Sequence, residues 1–562
     1  MRVLDTSRIG LSDPTRSVET VPGDDLTAVT GGAATKRTDR SAQKLPRVGL
    51  RRTVDEILNR RPAVGFAVAV VRNGHPTLFD ARGLADIASQ TPLSEDTVIR
   101  IGSVTKLFTA VAVAQLVEAG ALDLDRPAND YLRAYKLIPT QASWRPATVR
   151  HLLTHTAGIP EVRGLADLRQ SDFTPSGGRP AHLSVKAGEP VPSLADYYRN
   201  GVRIVVEPGT AFAYSNHTYA TLGQLIEDVT GVTLDRYFRD RIFEPLGMAD
   251  SGLVRLARVA GPLATGYTFR RTGPNAVPDR EWTGPGAGGI CSTARDVARF
   301  ATALLGGGAN DHGRVLEPAT LAMMFEPHFQ PDPRVPGIGL AFFRSEVDGH
   351  RIVGHDGILP GFNSALVLAP DDGVGVFAIT NGSSGAFGWL QIELDGLLRQ
   401  VLGASDDIDR SDLPHHPEIW PDLCGRYVFQ PRISDLRVRL MLSRGVEVFV
   451  GDGRLKVRLL TPVPVPYRGL PLAADDERDP DVFRLDVTQW GMPSIRAVFG
   501  RDATGRATAI HTDLGGQPWT LVRCTDNATR RRWVRPALGA FAAAGVVAAL
   551  RGARRSARRP SP

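Results

Sequence analysis

Ile101-Gly102-Ser103-Val104-Thr105-Lys106 opens a stretch that continues through Leu107-Phe108-Thr109-Ala110-Val111-Ala112-Val113-Ala114 to Glu118, without a proline and with Gly120 just past its end. Those are helix-body and helix-stop signals. The apolar residues surround the axis instead of keeping to one stripe, so the pattern predicts a helix buried in the middle of a domain. Ser103 and Lys106 stand three residues apart on one face of it. A serine at a helix N-terminus has free backbone N–H groups and the positive end of the helix dipole beside it. A lysine taken out of water loses its charge and becomes able to accept the serine proton. The bare spacing is weak evidence. It recurs at Ser41-Ala42-Gln43-Lys44, where no helix or core is expected to depress a lysine pKa, and that copy is given no role. For Ser103 taken alone, a helix N-cap is the plain alternative.

Upstream of this helix, Phe66 to Val71, the turn dipeptide Asn73-Gly74, and Thr77 to Phe79 read as a hairpin. Downstream, Thr293-Ala294-Arg295-Asp296 has capping-box spacing ahead of a helical Val297 to Leu305. Ser364 to Leu368 and Val374 to Thr380, joined through Asp371-Asp372-Gly373, form a second hairpin signal. Strands at both ends with helices between them predict an α+β domain whose antiparallel sheet is closed by its last strands. From about Pro414 the period changes to two, with Leu436/Val438/Leu440, Val446/Val448/Val450, Leu455/Val457/Leu459 and Phe483/Leu485/Val487. That is a small antiparallel β-barrel or sandwich. The expected organisation is a disordered leader over 1–46, the α+β domain over 47–403, a linker over 404–417, the β-rich domain over 418–526 and an Arg-rich tail over 527–562.

The 562 residues carry 42% hydrophobic and 23% charged side chains, which excludes wholesale disorder, a collagen-like fibre and a polytopic membrane protein. The net charge of +7 does not point to nucleic acid. Nine arginines lie between Arg530 and Pro562 with no acidic residue, and the rest of the chain holds 58 basic against 60 acidic groups. A near-neutral body leaves the tail as the electrostatic partner site. Within it, Pro536 to Leu550 is uncharged; at about 1.5 Å per residue it would span roughly 22 Å, short of a hydrocarbon core of roughly 30 Å. The tail is therefore expected to lie on an anionic membrane surface. The leader has no apolar core of an export signal, so the expected location is cytoplasmic or peripheral on the cytoplasmic face. Cys291, Cys424 and Cys524 are too few for a disulfide scaffold or a paired-thiol zinc site. Cys424 and Cys524 fall in the first and last strand-like segments of the β-rich region, where two buried free thiols are favoured over a bridge.

Two further segments give Ser103 and Lys106 their company. Pro208-Gly209-Thr210-Ala211-Phe212-Ala213-Tyr214-Ser215-Asn216 supplies a turn and then Tyr-Ser-Asn, and Gly354-His355-Asp356-Gly357 leads into Gly361-Phe362-Asn363. In this order the three motifs resemble those of the serine β-lactamase and penicillin-binding-protein superfamily, and most closely its class C β-lactamase-related branch with many esterases and D-aminopeptidases. His151-Leu152-Leu153-Thr154-His155-Thr156-Ala157-Gly158, Phe243-Glu244-Pro245-Leu246-Gly247-Met248 and Gly288-Gly289 with Ser292-Thr293 agree, and the resemblance covers roughly residues 50 to 400. It implies a covalent acyl-enzyme on Ser103 with Lys106 as its proton partner. Tyr214 would share the base work and protonate the leaving group, and Asn216 would bind Lys106 and the substrate. An oxyanion hole would form from the N–H groups of Ser103 and Ile358. A tyrosine beside Lys⁺ would have its phenolate stabilised and act as a base well below its usual value of about 10. No metal or cofactor is implied; the partner is a small-molecule acyl substrate.

Other readings separate on the sequence. His151 and His155 have i, i+4 spacing, but Leu152 stands where a metalloprotease needs glutamate, and no Gly-x-Ser-x-Gly occurs. A non-catalytic penicillin-recognition protein would be marked by loss of a catalytic residue. The chain departs from β-lactamases at the third motif, where His355-Asp356-Gly357 replaces Lys-Thr-Gly. A mostly neutral histidine removes a fixed positive charge. Asp356 repels an anionic substrate if it faces the pocket and matters less if it points away. The expectation is hydrolysis of neutral acyl esters, with D-alanyl peptidase, penicillin-binding or weak β-lactamase activity as the alternative. His355, Asp356 and Gly357 are the expected substrate contacts.

Overall fold

The computed structural model describes residues 47–524 except 62, 162–182, 254–262, 271, 384–388, 405–412, 430–444, 461–468 and 488–493. The leader, Ser41, Lys44, most of the linker, the strand expected around Leu436 to Leu440 and the Arg-rich tail lie outside the described residues. A seven-stranded antiparallel sheet carries the first domain. Its strands are β1 (Gly65–Arg72), β2 (His75–Asp86), β3 (Thr91–Pro92), β4 (Phe343–Val347), β5 (His350–Leu359), β6 (Phe362–Ala369) and β7 (Val374–Thr380), in the spatial order β4-β5-β6-β7-β1-β2-β3. Asn73 and Gly74 both take positive φ, 51° and 78°, which the β1–β2 turn requires. The last strand returns to the first, Phe66 opposite Thr380 and Val70 opposite Val376, so the two hairpins legible in the sequence become one sheet.

Because strand side chains alternate, the apolar run of β1 feeds two cores at once. Phe66, Val68 and Val70 face α1 (Arg47–Arg60) and the C-terminal helix Leu390–Leu402. Ala67, Ala69 and Val71 face a larger helical layer. That layer contains α2 (Thr105–Glu118), α3 (Asn216–Thr230) and α4 (Ala294–Leu305); the helix Leu390–Leu402 is then α5. Helix α2 is buried almost all round, with Phe108 stacked on Phe300 at 3.8 Å between ring centroids. Its regular turns begin at Thr105, two residues later than Ser103. Gly102–Val104 ahead of it is a 3₁₀ turn, entered through Gly102 at a left-handed φ of 54°. Thr293 caps α4 by accepting from the Asp296 N–H. The second half of the expected capping box is missing, since the buried Asp296 carboxylate accepts instead from the Asp250 N–H and the Ser251 hydroxyl.

The second domain is a closed antiparallel barrel of eight strands, β8 (Gly425–Phe429), β9 (Val446–Gly451), β10 (Arg454–Leu459), β11 (Leu470–Ala474), β12 (Val482–Leu485), β13 (Ile495–Arg501), β14 (Ala507–Thr512) and β15 (Trp519–Arg523). Pairing of β8 with β15, Tyr427 opposite Arg523, closes it and excludes a sandwich. Tyr427, Leu455, Phe483, Phe499 and Leu521 fill the interior. Cys424 and Cys524 sit on these neighbouring first and last segments as free, half-buried thiols, not fully buried ones. The barrel docks through Arg334, whose guanidinium donates to Asp479 at 2.9 Å and to the Phe499 carbonyl at 3.0 Å. Val335 packs between Val482 and Val498. At a second point Trp519 meets Phe212 edge-on at 5.5 Å, two residues before Tyr214.

Candidate active site

Polar side chains in an otherwise apolar α2 each have a partner, and the partners define a site. Thr109 donates to the Gly286 carbonyl at 2.7 Å, and Thr105 accepts from the Ile290 N–H at 3.1 Å. These two bonds hold the Pro285–Ala287 turn against the helix so that the Ala287 carbonyl reaches Lys106 Nζ at 2.6 Å. Lys106 is fully buried. Its other contacts are Asn216 Oδ1 at 2.7 Å and Ser103 Oγ at 2.9 Å. Burial pushes the amine down to about 7, against the pull of Glu161 and Asp356. In the neutral form only two hydrogens remain, and the two carbonyl oxygens, which can only accept, claim them. The nitrogen lone pair then faces the Ser103 hydroxyl.

Tyr214 lies on the extended segment before α3 and donates its hydroxyl to Ser103 Oγ at 3.0 Å. Burial drives its proton affinity well above the ordinary phenol value, and the negative charges of Asp356 and Glu161 add to this. The expected stabilised phenolate is therefore reversed. The cation meant to stabilise it, Lys106, is itself driven toward neutrality, so Tyr214 is a phenol with a proton to give. His155 supports this segment from below. In a left-handed conformation with φ 57°, it accepts the Ala213 N–H on its carbonyl at 2.8 Å and the Ser215 N–H on Nδ1 at 3.2 Å, and its ring lies 4.4 Å from that of Tyr214. His151 instead turns its Nδ1 to the Thr148 N–H, so the i, i+4 histidine pair does not converge.

The third motif runs along β5, beside the 3₁₀ turn. A Cβ on Gly357 would stand 2.2 Å from the Ile101 carbonyl and 3.1 Å from the Ser103 nitrogen, so only glycine lets the strand come this close. Pro360-Gly361 is a two-residue loop closed by Leu359 and Phe362, which puts Ile358 opposite Asn363 at a non-hydrogen-bonded position. Its N–H therefore points away from β6, toward the side where the pairing with β4 stops at Phe343 opposite Gly354. Of the two N–H groups expected to form an oxyanion hole, that of Ile358 thus faces the open edge of β5, and the Ser103 nitrogen lies beside Gly357, the residue before it.

His355 and Asp356 fall on opposite faces. The buried His355 ring stacks on Phe343 at 4.3 Å and has its Nδ1 2.6 Å from the Asp356 carbonyl; burial pushes it down to about 3, so it is neutral. Asp356 shares a face with Ala365 and accepts from Gln391 on α5 at 3.2 Å, on the far side of the sheet from Tyr214. Its side chain is 32% exposed, and burial raises its proton affinity. Of the alternatives left open by the sequence, Asp356 points away. Sequence reasoning passed over Glu161, which accepts from both the backbone N–H and the Nδ2 of Asn216, at 2.7 and 2.8 Å. The only signal for it was its place three residues beyond Gly158.

A sheet completed by its own last strands and a buried lysine hydrogen-bonded to a serine, with a tyrosine and an asparagine alongside, define a serine hydrolase of the penicillin-recognition kind. The Beta-lactamase family model matches residues 50–393, more than half of the chain, and the protein belongs to that family. It is similar to Penicillin-binding protein 4 of Amycolatopsis lactamdurans, with 31% identity over 62% of this chain and 87% of that protein. It is also similar to Esterase EstB of Burkholderia gladioli, with 28% identity over 72% of this chain and 92% of the relative. The octameric penicillin-binding protein homologue from Pyrococcus abyssi shares the fold, with a TM-score of 0.54 and 22% identity, covering 85% of this chain and 100% of that one.

Proposed function

We propose that the protein is an esterase that forms an acyl-enzyme on Ser103 from neutral acyl esters. In this reading neutral Lys106 takes the hydroxyl proton as Ser103 Oγ attacks the ester carbonyl. The N–H groups of Ser103 and Ile358 receive the developing oxyanion, and Tyr214 hands a proton to the departing alcohol oxygen. Water then attacks the acyl carbonyl with the same groups in reverse order and releases the acid. The observation that carries the ester preference is the charge at the third motif, with His355 buried and neutral and Asp356 turned to Gln391. Among the described residues, the third motif itself offers no fixed cation for the carboxylate of a penicillin or a terminal D-alanine. A cavity of about 230 Å³ beside Leu359, Pro360 and Phe362 offers mixed apolar space one residue beyond Ile358. Two guanidiniums line its wall: Arg100 is paired with Asp279 at 2.6 Å, and Arg280 donates to the hydroxyl and carbonyl of Ser184. The likeness to Esterase EstB supports the same reading.

The test is the ratio of kcat/KM for a short p-nitrophenyl ester over nitrocefin, expected to exceed about 10², or roughly 2.7 kcal/mol of discrimination. Efficient hydrolysis of nitrocefin or D-alanyl-D-alanine would replace the esterase reading with the peptidase one, which the likeness to a penicillin-binding protein favours. A fluorophosphonate adduct should map to Ser103 alone and vanish in Ser103→Ala, with turnover down by about 10³ or more.

A further inference from the structure

We propose that Glu161 is a positioning residue for proton transfer at Ser103. Its carboxylate locks the Asn216 amide with Oδ1 toward Lys106 and sets a fixed negative charge beside that amine. The inference rests on the hydrolase reading above and adds a group outside the three motifs. A carboxylate can only accept hydrogen bonds. With Oε2 taken by the Asn216 backbone N–H at 2.7 Å, Oε1 at 2.8 Å can face only the amide's Nδ2. The amide oxygen is thereby turned to Lys106 Nζ, 2.7 Å away. In the flipped amide, oxygen would face carboxylate and NH₂ would face the lysine, at both ends a mismatch. The same carboxylate satisfies a first-turn N–H of α3 and sits at the positive end of that helix.

The groups around Lys106 give this charge its leverage. From the 3₁₀ turn before α2 comes Ser103, from the segment before α3 comes Tyr214, and from α3 itself comes Tyr219, with its ring 5.5 Å away. From the Pro285–Ala287 turn comes a carbonyl. His155 and His355 are both held neutral by burial. The negative charges acting on the amine are Glu161 and, from the far face of the sheet, Asp356, and both oppose its desolvation. Removing the Glu161 charge makes the amine easier to deprotonate, while leaving Asn216 free to turn makes it a worse partner for Ser103.

The experiment measures the second-order rate of fluorophosphonate labelling at Ser103 against pH in the full chain, for wild type, Glu161→Gln, Asn216→Asp and the pair Glu161→Gln/Asn216→Asp. Glu161→Gln, which cannot accept at both positions, should lower the plateau by about 10-fold and move the acid-side midpoint down by up to about one unit. Asn216→Asp alone puts carboxylate against carboxylate and should lose at least about 10²-fold. The paired variant restores a donor–acceptor match with amide and acid exchanged, and should recover about 10-fold or more of that loss. A wild-type midpoint in Glu161→Gln, or no recovery in the paired variant, overturns the proposal. A merely structural cap would lower the melting temperature without moving the midpoint. Labelling that persists in Ser103→Ala would instead overturn the hydrolase reading itself.

Discussion

In the proposed mechanism Lys106 is the residue on which the chemistry turns, and its environment makes a signed pH prediction. With the neutral amine as the proposed base, kcat/KM for an ester should rise with pH and reach half its plateau near the lysine's pKa of about 7. Tyr214, driven well above its ordinary value, should impose no fall on the alkaline side below about 10. An acid limb near a carboxylate's ordinary value of about 4 would place the base elsewhere. Stability carries the same signature. Between about 7 and the unfolded lysine's 10.5 the unfolded chain binds the extra proton, so unfolding free energy should climb with pH across that window and plateau above it. Lys106→Ala should flatten the climb in denaturant titrations at stepped pH. The pairing of Ser103 with Lys106 was expected from the resemblance carried by the three motifs, since the spacing taken alone was equally that of a helix N-cap. Glu161 was not, because nothing in a glutamate three residues past a glycine says which amide it will meet.

At the scale of the element, the site depends on a strand and a 3₁₀ turn approaching closer than side chains allow. Gly102 supplies the left-handed turn and Gly357 the bare backbone facing it; a Cβ at Gly357 would also stand 2.4 Å from Ser364 Oγ, which donates to the Ile101 carbonyl at 2.7 Å. Gly357→Ala must therefore push β5 away from Ser103. It is expected to cost about 10²-fold or more in kcat with a smaller change in KM, since a misplacement of about 1 Å is enough. Wild-type kinetics in that variant would show that the strand's proximity is not needed. The sequence marked both glycines within motifs. It could not show that they face each other, because sequence separation carries no distance until the sheet is closed.

For the molecule as a whole, the barrel joins the first domain at Arg334 and Val335 and again at Trp519 against Phe212. Arg334→Ala removes part-exposed bonds, so its expected cost is modest, about 1–2 kcal/mol. It should appear in calorimetry as a barrel transition separating from the main one. A single unchanged transition would mean that the contacts left in place, Val335 with Val482 and Val498 and Trp519 with Phe212 among them, suffice to couple the domains. Among the described residues no helix is long and apolar enough to cross a membrane. The Arg-rich tail, read from sequence alone, is proposed to hold the protein on anionic membranes. Deleting residues 530–562 should abolish sedimentation with anionic liposomes at low salt and leave hydrolase activity intact. A full chain that stays in the supernatant would end that proposal.

By itself the sequence determined what depends on local periodicity and on residue type: the buried helix behind Ser103, the turn at Asn73-Gly74 and the period-two strands after Val446. Those follow from side-chain repeat and turn stereochemistry, which a few neighbouring residues already fix. Only the tertiary structure decided between barrel and sandwich, because closure depends on Tyr427 meeting Arg523 across the whole domain. It alone turned Asp356 toward Gln391, brought Glu161 to Asn216 and reversed the expected behaviour of Tyr214. Orientation, desolvation and the sum of distant charges are properties of the packed interior, and packing is settled among residues that lie far apart along the chain.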